Sequence, residues 1–373
     1  MGKIVIKKLK MVKNTSEVIY VMNEKQNKFP NFRTDLACEA TIRCSHHLCN
    51  TKTEEYDKNK IRVTKTLVDQ KEAEVLGKKA GVYYALDLTN TNCHDTKSCK
   101  EIEIALMEIL TELLEGKGLK NKKCLVIGLG NINVTPDSLG PYVLDNIVVT
   151  RHLFELDTVN VGYSEVSGFS PGVMGSTGIE TFDIIKSVVD KINVDYVIVV
   201  DALASASIAR VNKTIQITDT GISPGSGVGN RRKELSIDTL GVPVLAIGVP
   251  TVVDAVTITS DSIDYLIKYL NHKAEGKESK ANNLSLTETK IDYNELENVP
   301  HKVKEHLMGQ VGVLEEHQIR SLIEDVLTPN GYNMIVTPKE IDADVEDLSK
   351  IIAMGINITL HESFKESYLN KNI

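Results

Sequence analysis

The sequence predicts an α/β fold: a doubly wound, mainly parallel sheet with helices on both faces and an added smaller subregion. Three observations carry this expectation. Near-continuous β-branched runs recur at residues 125–127 (LVI), 195–200 (DYVIVV) and 242–249 (VPVLAIGV), as strands buried on both faces require. Amphipathic helical patterns separate the runs, so parallel neighbours can be joined by crossovers. The first run enters a glycine-bearing turn (Gly128, Gly130) and a loop carrying Asp137, the region in which open α/β sheets bind ligands.

Bulk composition narrows the function classes. The chain has 373 residues, room for one large domain or two smaller ones. Its 42% apolar content is that of an ordinary globular protein. Lys+Arg 43 against Asp+Glu 51 leaves a net charge of −8, which disfavours direct binding of nucleic-acid phosphates. Six cysteines are too sparse for a disulfide framework in a chain of this length and suit a reducing cytosol. Lys3, Lys7, Lys8, Lys10 and Lys13 interrupt the apolar residues that a signal peptide would need. No stretch reaches the length of a membrane span.

In chain order, residues 1–30 read as an appendage. Lysines alternate with aliphatic residues, a polar run follows, and Pro30 ends it; Met11 and Met22 offer alternative starts. Residues 32–40 (FRTDLACEA) line up Asp35, Leu36, Ala37 and Glu39. Cys44, His46, His47, Cys49, Cys93, His94 and Cys99 are ligand types that zinc uses, but no clean C-x2-C pair occurs. Ordinary thiols are the simpler reading. Alternation predicts strands at 61–68 and 81–88. Ile102, Ala105, Leu106, Ile109 and Leu113 fall at helical spacing over 101–114, and Gly116 and Gly118 stop that helix.

The strand at 125 follows, then the Asp137 loop and a helix through Val143, Leu144, Ile147 and Val148. Residues 166–180 read as a glycine- and serine-rich loop leading into a helix over 179–192. The strand at 195–200 ends at Asp201, the strand at 214–218 ends at Asp219, and the strand at 242–249 runs out in PTVVDA with Asp254. A helix is expected over 262–270, a polar insertion over about 273–300, and helical patterns at 315–326 and 345–352.

The familiar chemical motifs are mostly missing. Asn133 stands where the dinucleotide fingerprint wants its third glycine, and P-loop spacing does not occur. The loop 221–229, followed by Arg231 and Arg232, could hold an anion, although a structured loop is the simpler role. No nucleophile elbow follows a strand, and neither Ser205 nor Ser226 has an identifiable histidine partner. None of the nine histidines ends a strong strand. The carboxylates Asp137, Asp201, Asp219 and Asp254 remain. For any one alone a helix cap is the ordinary explanation. A pair differs, because two close carboxyls cannot both ionise cheaply: one keeps a proton while the other activates water. Parallel strands leading to Asp137 and Asp201 would bring those two above one sheet edge.

GLGNINVTPDSLGP, SPGVMGSTGIET, DALAS, TIQITDTGISPGSGVGNRRKELS, GVPVLAIGVPTVVDA and MIVTPKEID together resemble the spore germination protease family, over about residues 32–362. The resemblance implies a cytoplasmic endopeptidase of the forespore and spore core. Its substrates would be the small acid-soluble proteins that coat spore DNA. It implies a zymogen that forms a homotetramer and loses an N-terminal propeptide. Carried over by motif, the catalytic aspartates are Asp137 and Asp201, and the processing point lies between Asp35 and Leu36. Residues 1–35 are then leader and propeptide, and residues 36–373 a single protease domain. The order acid, aliphatic, alanine, then Glu39 resembles the family's substrate cleavage signal. The implied fold is similar to hydrogenase maturation proteases, which hold a metal with two carboxylates and a histidine. No matching histidine is found here, so no metal or other cofactor is expected, and neither is a membrane or nucleic-acid partner. Two alternatives stand beside this reading: a metal-dependent peptidase with the aspartates as ligands, and a non-catalytic binder of spore proteins.

Overall fold

The computed structural model describes residues 34–44, 51–225, 232–274, 296, 298–327 and 334–370. The leader, His46, His47 and Cys49 of the cysteine–histidine scatter, Ser226 and Arg231 with the loop residues between them, and most of the polar insertion lie outside the described residues. Among the described residues nine strands form one sheet: β1 (Lys52–Lys58), β2 (Ile61–Val68), β3 (Gly81–Asp87), β4 (Cys124–Gly128), β5 (Val166–Phe169), β6 (Tyr196–Ser205), β7 (Thr214–Thr218), β8 (Val244–Asp254) and β9 (Ile335–Val336). The order is β1-β2-β3-β7-β8-β6-β4-β5, with β9 on β8.

The α/β class is as expected, with the parallel strands gathered at one end of the sheet. β5, β4, β6 and β8 run parallel, whereas β1, β2, β3 and β7 form an antiparallel wing. The reason is visible in the chain. The β-branched runs of β4, β6 and β8 are buried on both faces, while β2 alternates buried and exposed positions, the mark of a half-covered antiparallel sheet. β1 and β2 are joined through Asn59 and Lys60, both at positive φ, as a two-residue hairpin requires.

Alternation along the central strands supplies two cores. Cys124, Val126, Tyr196, Ile198 and Val200 face the helices Thr96–Gly116, Leu139–Asp145 and Ile341–Leu360. Leu125, Ile127, Val197 and Val199 face Ile185 and Val189 of the helix Thr181–Ile192, together with Leu240. The sheet is therefore covered on both faces, as a parallel sheet must be. Among the described residues no helix is long and apolar enough to cross a membrane.

Two expectations change. Part of the stretch read as a loop at 166–180 is β5, a four-residue edge strand beside β4. Its Gly168, where a Cβ would lie 2.6 Å from Leu144 Cδ1, interrupts the run, so the strand leaves no propensity signal. Asp201 does not end its strand. β6 continues to Ser205 because β8 continues beside it to Asp254, with a register shift between Leu203 and Ala204.

The helix Leu139–Asp145 docks on the sheet through Gly140. A Cβ there would lie 2.2 Å from Leu129 O, 2.5 Å from Leu129 N and 2.7 Å from Val200 O. All three are backbone atoms and cannot swing aside. Gly140→Ala is expected to lower stability by about 2–3 kcal/mol, read as a fall in the denaturant midpoint. Gly116→Ala, with nothing within 4 Å of its Cβ, is expected to stay within about 0.5 kcal/mol of the parent.

Candidate active site

The chain leaves β4 through Gly128 and folds straight back over the sheet. A Cβ on Gly128 would lie 2.2 Å from Gly140 O, and one on Gly130, at φ +115°, would lie 1.9 Å from Asp137 O. Only glycine permits this turn at position 130. The return ends in the 3-10 turn Thr135–Asp137, with proline at its centre. Thr251 Oγ1 of β8 donates to Pro136 O at 2.6 Å and ties the turn down. Asp137 is half-buried there. Its Oδ2 accepts from Asn131 N at 2.9 Å.

Asp201 enters from below, within β6, and is 6% exposed. Ala202 N donates to its Oδ1 at 2.9 Å. Burial pushes its carboxyl well above the usual range; the charges of Asp137 and Asp35 add to that push, while Ala202 N–H and Arg232 oppose it. Asp137 is also raised by burial, against the Asn131 N–H and Arg232. Two acids whose proton affinities are raised, one strongly and by the other's charge, can keep one proton between them near neutrality.

The same row of the sheet extends sideways from Asp201. Across the strands it reads Asp201, Gly248, Gln216, Ala85. Residues 34–40 lie over this row. Asp35 N donates to Ala204 O at 3.0 Å, and Ala204 N returns a bond to Asp35 Oδ2 at 3.0 Å. Lys78 Nζ holds Thr34 O at 2.9 Å. Leu36 is fully buried against Ala85 and Leu203. Ala37 N donates to Gln216 Oε1 at 2.6 Å, and Gln216 Nε2 donates to Asp35 O at 3.2 Å. Glu39 is buried at the end of β6. It accepts from Ser205 Oγ at 2.7 Å and Ala206 N at 2.8 Å, with Arg210 Nε 3.7 Å away and a short bond from Thr34. Beside Asp35 the groove opens into a cavity of ≈ 320 Å³ lined by Lys78, Tyr83, Thr218 and Gly248, among others.

Of the residues singled out from the sequence, Asp137 and Asp35 both act on Asp201 through their charge, and Leu36 packs against Leu203, two residues further along β6. The other two strand-end carboxylates do not join. Asp219 follows the antiparallel β7, which carries it away from Asp201, and it pairs with Lys117 at 2.8 Å. Asp254 caps the helix Ala255–Ala274 by accepting from Thr257 N at 2.6 Å. Arg320 lies 3.5 Å from it. Ser205 holds Glu39 and has no part in a triad. Cys99 donates to Cys93 O, and His94 pairs with Asp347. Among the described residues no group of three potential metal ligands assembles. The sequence carries no signal for Gln216 or Arg210, whereas Arg232, which follows the loop considered for an anion, acts on both aspartates. Gln216 sits in an unremarkable TIQIT strand, and only pairing across the sheet reveals its place.

Comparison with known proteins follows the same residues. The model of the germination protease family matches residues 35–372. A germination protease of Bacillus cytotoxicus is 46% identical over 354 residues, covering 90% of this chain and 95% of that protein. One from Bacillus cereus (strain B4264) is 45% identical over 356 residues with the same coverage. Among solved structures, the [NiFe] hydrogenase maturation protease HycI from Thermococcus kodakarensis KOD1 is 20% identical, with a TM-score of 0.25, over 38% of this chain and 80% of that one.

The buried acid gives stability a pH dependence of known sign. The folded-state affinity of Asp201 for its proton exceeds that of an unfolded aspartate, about pKa 3.9. The native state then holds more protons than the unfolded state above that value, so stability falls as pH rises through the window up to the raised pKa. Asp201→Asn, which removes the ionisation, is expected to raise the melting temperature at pH 7. The gain should shrink as pH falls and vanish below about pH 4. Melting curves across that range check it.

Proposed function

The chain belongs to the germination protease family, which gives it a protease role in spore germination, and we propose that it is a self-processing endopeptidase of small acid-soluble spore proteins. In this reading it is made as a zymogen in the forespore cytoplasm and remains in the spore core. It works as a homotetramer and removes residues 1–35 by cutting between Asp35 and Leu36. Residues 36–373 are then the protease domain.

One observation carries this reading: the segment around the proposed cut lies in the site with each of its distinctive residues received. Asp35 is paired to Ala204, Leu36 fills an apolar pocket, and Glu39 has a polar one. A segment bound in this way is what a substrate looks like to the enzyme. Its fit to the groove beside Asp137 and Asp201 supports the aspartate pair as the catalytic groups.

The chemistry follows from the environments. Asp201, the more deeply buried and the more strongly raised, holds the proton. Asp137, half-buried and bonded to a backbone N–H, carries the charge. Asp137 takes a proton from water as its oxygen attacks the Asp35 carbonyl carbon. Asp201 gives a proton to the Leu36 nitrogen as the C–N bond breaks. A carboxyl terminus at Asp35 and an amine at Leu36 result, with the pair's single proton conserved overall. A free protein substrate would follow the same path, with its own acid at the Glu39 position.

Three results are expected from intact-mass measurements on purified full-length protein. Wild type loses the segment ending at Asp35, with a rate constant unchanged by dilution because the segment is bound within its own chain. Asp137→Asn and Asp201→Asn each slow that loss by about 10³-fold or more. Glu39→Gln slows it by about tenfold, through loss of charge-assisted bonds in a buried pocket. Full cleavage by Asp137→Asn would end the assignment.

A further inference from the structure

Acid–base catalysis by two aspartates leaves one charge unaccounted for. Attack on a peptide carbonyl moves negative charge onto its oxygen, and hydrolytic sites meet that charge with a fixed hydrogen-bond donor. We propose that Gln216 is a further catalytic residue, whose side-chain amide is the donor that stabilises this oxyanion. The inference rests on the reading that 35–36 is the bond cut.

The orientation of the amide is set by its partners. Ala37 N–H can only donate, and it meets one end of the Gln216 side chain at 2.6 Å. That end must be the oxygen, so the nitrogen faces the Asp35 carbonyl, at 3.2 Å. Gln216 thus grips main-chain atoms on both sides of Leu36: the carbonyl oxygen of the bond to be cut, and the next N–H but one. Neither contact involves a side chain of the segment, and the Ala37 N–H that Gln216 holds opens the helix Ala37–Cys44.

The scaffold suits an oxyanion donor. Gln216 is 7% exposed, and its strand is paired on both sides, to Ala85 of β3 and Gly248 of β8. Gly248 is in turn paired with Asp201, so proton donor and oxyanion donor occupy one row of the sheet, two strands apart. Gly248 itself carries no side chain, and the space above it is taken by Leu203. Leu203 lies over it, 2.5 Å from where a Cβ would be, and the same Leu203 packs against Leu36. On so fixed a frame a bond to developing charge is worth more than the ground-state bond at 3.2 Å, since the oxyanion draws the donor closer.

Gln216→Glu separates this role from simple holding. The carboxylate keeps an acceptor for Ala37 N–H and the shape of the side chain, but when ionised offers nothing to the carbonyl oxygen. Gln216→Met keeps the volume and loses both bonds. The rate constant for loss of residues 1–35 from full-length protein would be measured by intact mass at neutral pH. Hydrogen exchange of residues 34–40 and the melting temperature would be followed in parallel. Gln216→Glu is expected to cut at least about 10²-fold more slowly, with wild-type protection of residues 34–40, and Gln216→Met to be no faster. Cleavage of Gln216→Glu within threefold of wild type overturns the inference, and so does slowed cleavage accompanied by loss of that protection. If wild type is cut at another bond, or is cut equally well with Asp201→Asn, the underlying reading fails instead, and the inference with it.

Discussion

The burial of Asp201 in the middle of β6 is the constraint on which the rest of the site depends. An isolated carboxylate there would be too costly to keep ionised. A second acid brought close makes ionisation harder still, and the chain brings Asp137 close deliberately. Gly128, Gly130 and Gly140 let the connection after β4 fold back until its backbone touches Leu129 and Val200. Thr251 holds the turn from β8. Close packing of backbone against backbone is thus what positions Asp137 to raise Asp201, as the proposed acid–base pair requires. Arg232 limits the effect by drawing both down.

Residues 34–40 add a third carboxyl to the same place. Asp35 raises Asp201 further, and in the proposed reaction that carboxyl departs with the segment it ends. The uncut chain would then hold its aspartate pair more fully protonated than the cut one. Recognition of the segment is divided between two kinds of contact. Ala204, Gln216 and Lys78 bind its backbone and its first acid, whereas the apolar pocket at Leu203 and the polar pocket of Ser205, Ala206 and Arg210 read its side chains.

Much of this was legible in the sequence. Buried runs such as 125–127 and 195–200 declared strands covered on both faces, and the glycines beside the first declared a tight turn. Asp137 and Asp201 stood out because they follow such runs. Asp219 and Asp254 stood out equally, and only the antiparallel course of β7 and the cap made by Asp254 remove them. β5 was missed because four residues with a glycine inside carry no period. Gln216 and Arg210 were invisible for a different reason: each acts across the sheet on a segment about 170 residues away in the chain, as in the contact of Gln216 with Ala37, 179 positions apart. No local pattern encodes such a contact.

The coupling of Asp137 and Asp201 is the claim on which acid, base and oxyanion roles all depend, and it can be measured without catalysis. Protein labelled with carboxyl-¹³C aspartate would be titrated by NMR, with the Asp201 signal identified by its absence in Asp201→Asn. The account predicts that Asp201 titrates well above the ordinary aspartate range and moves downward when Asp137 is replaced by Asn. An Asp201 signal that titrates near pH 4, or that does not respond to Asp137→Asn, would contradict it.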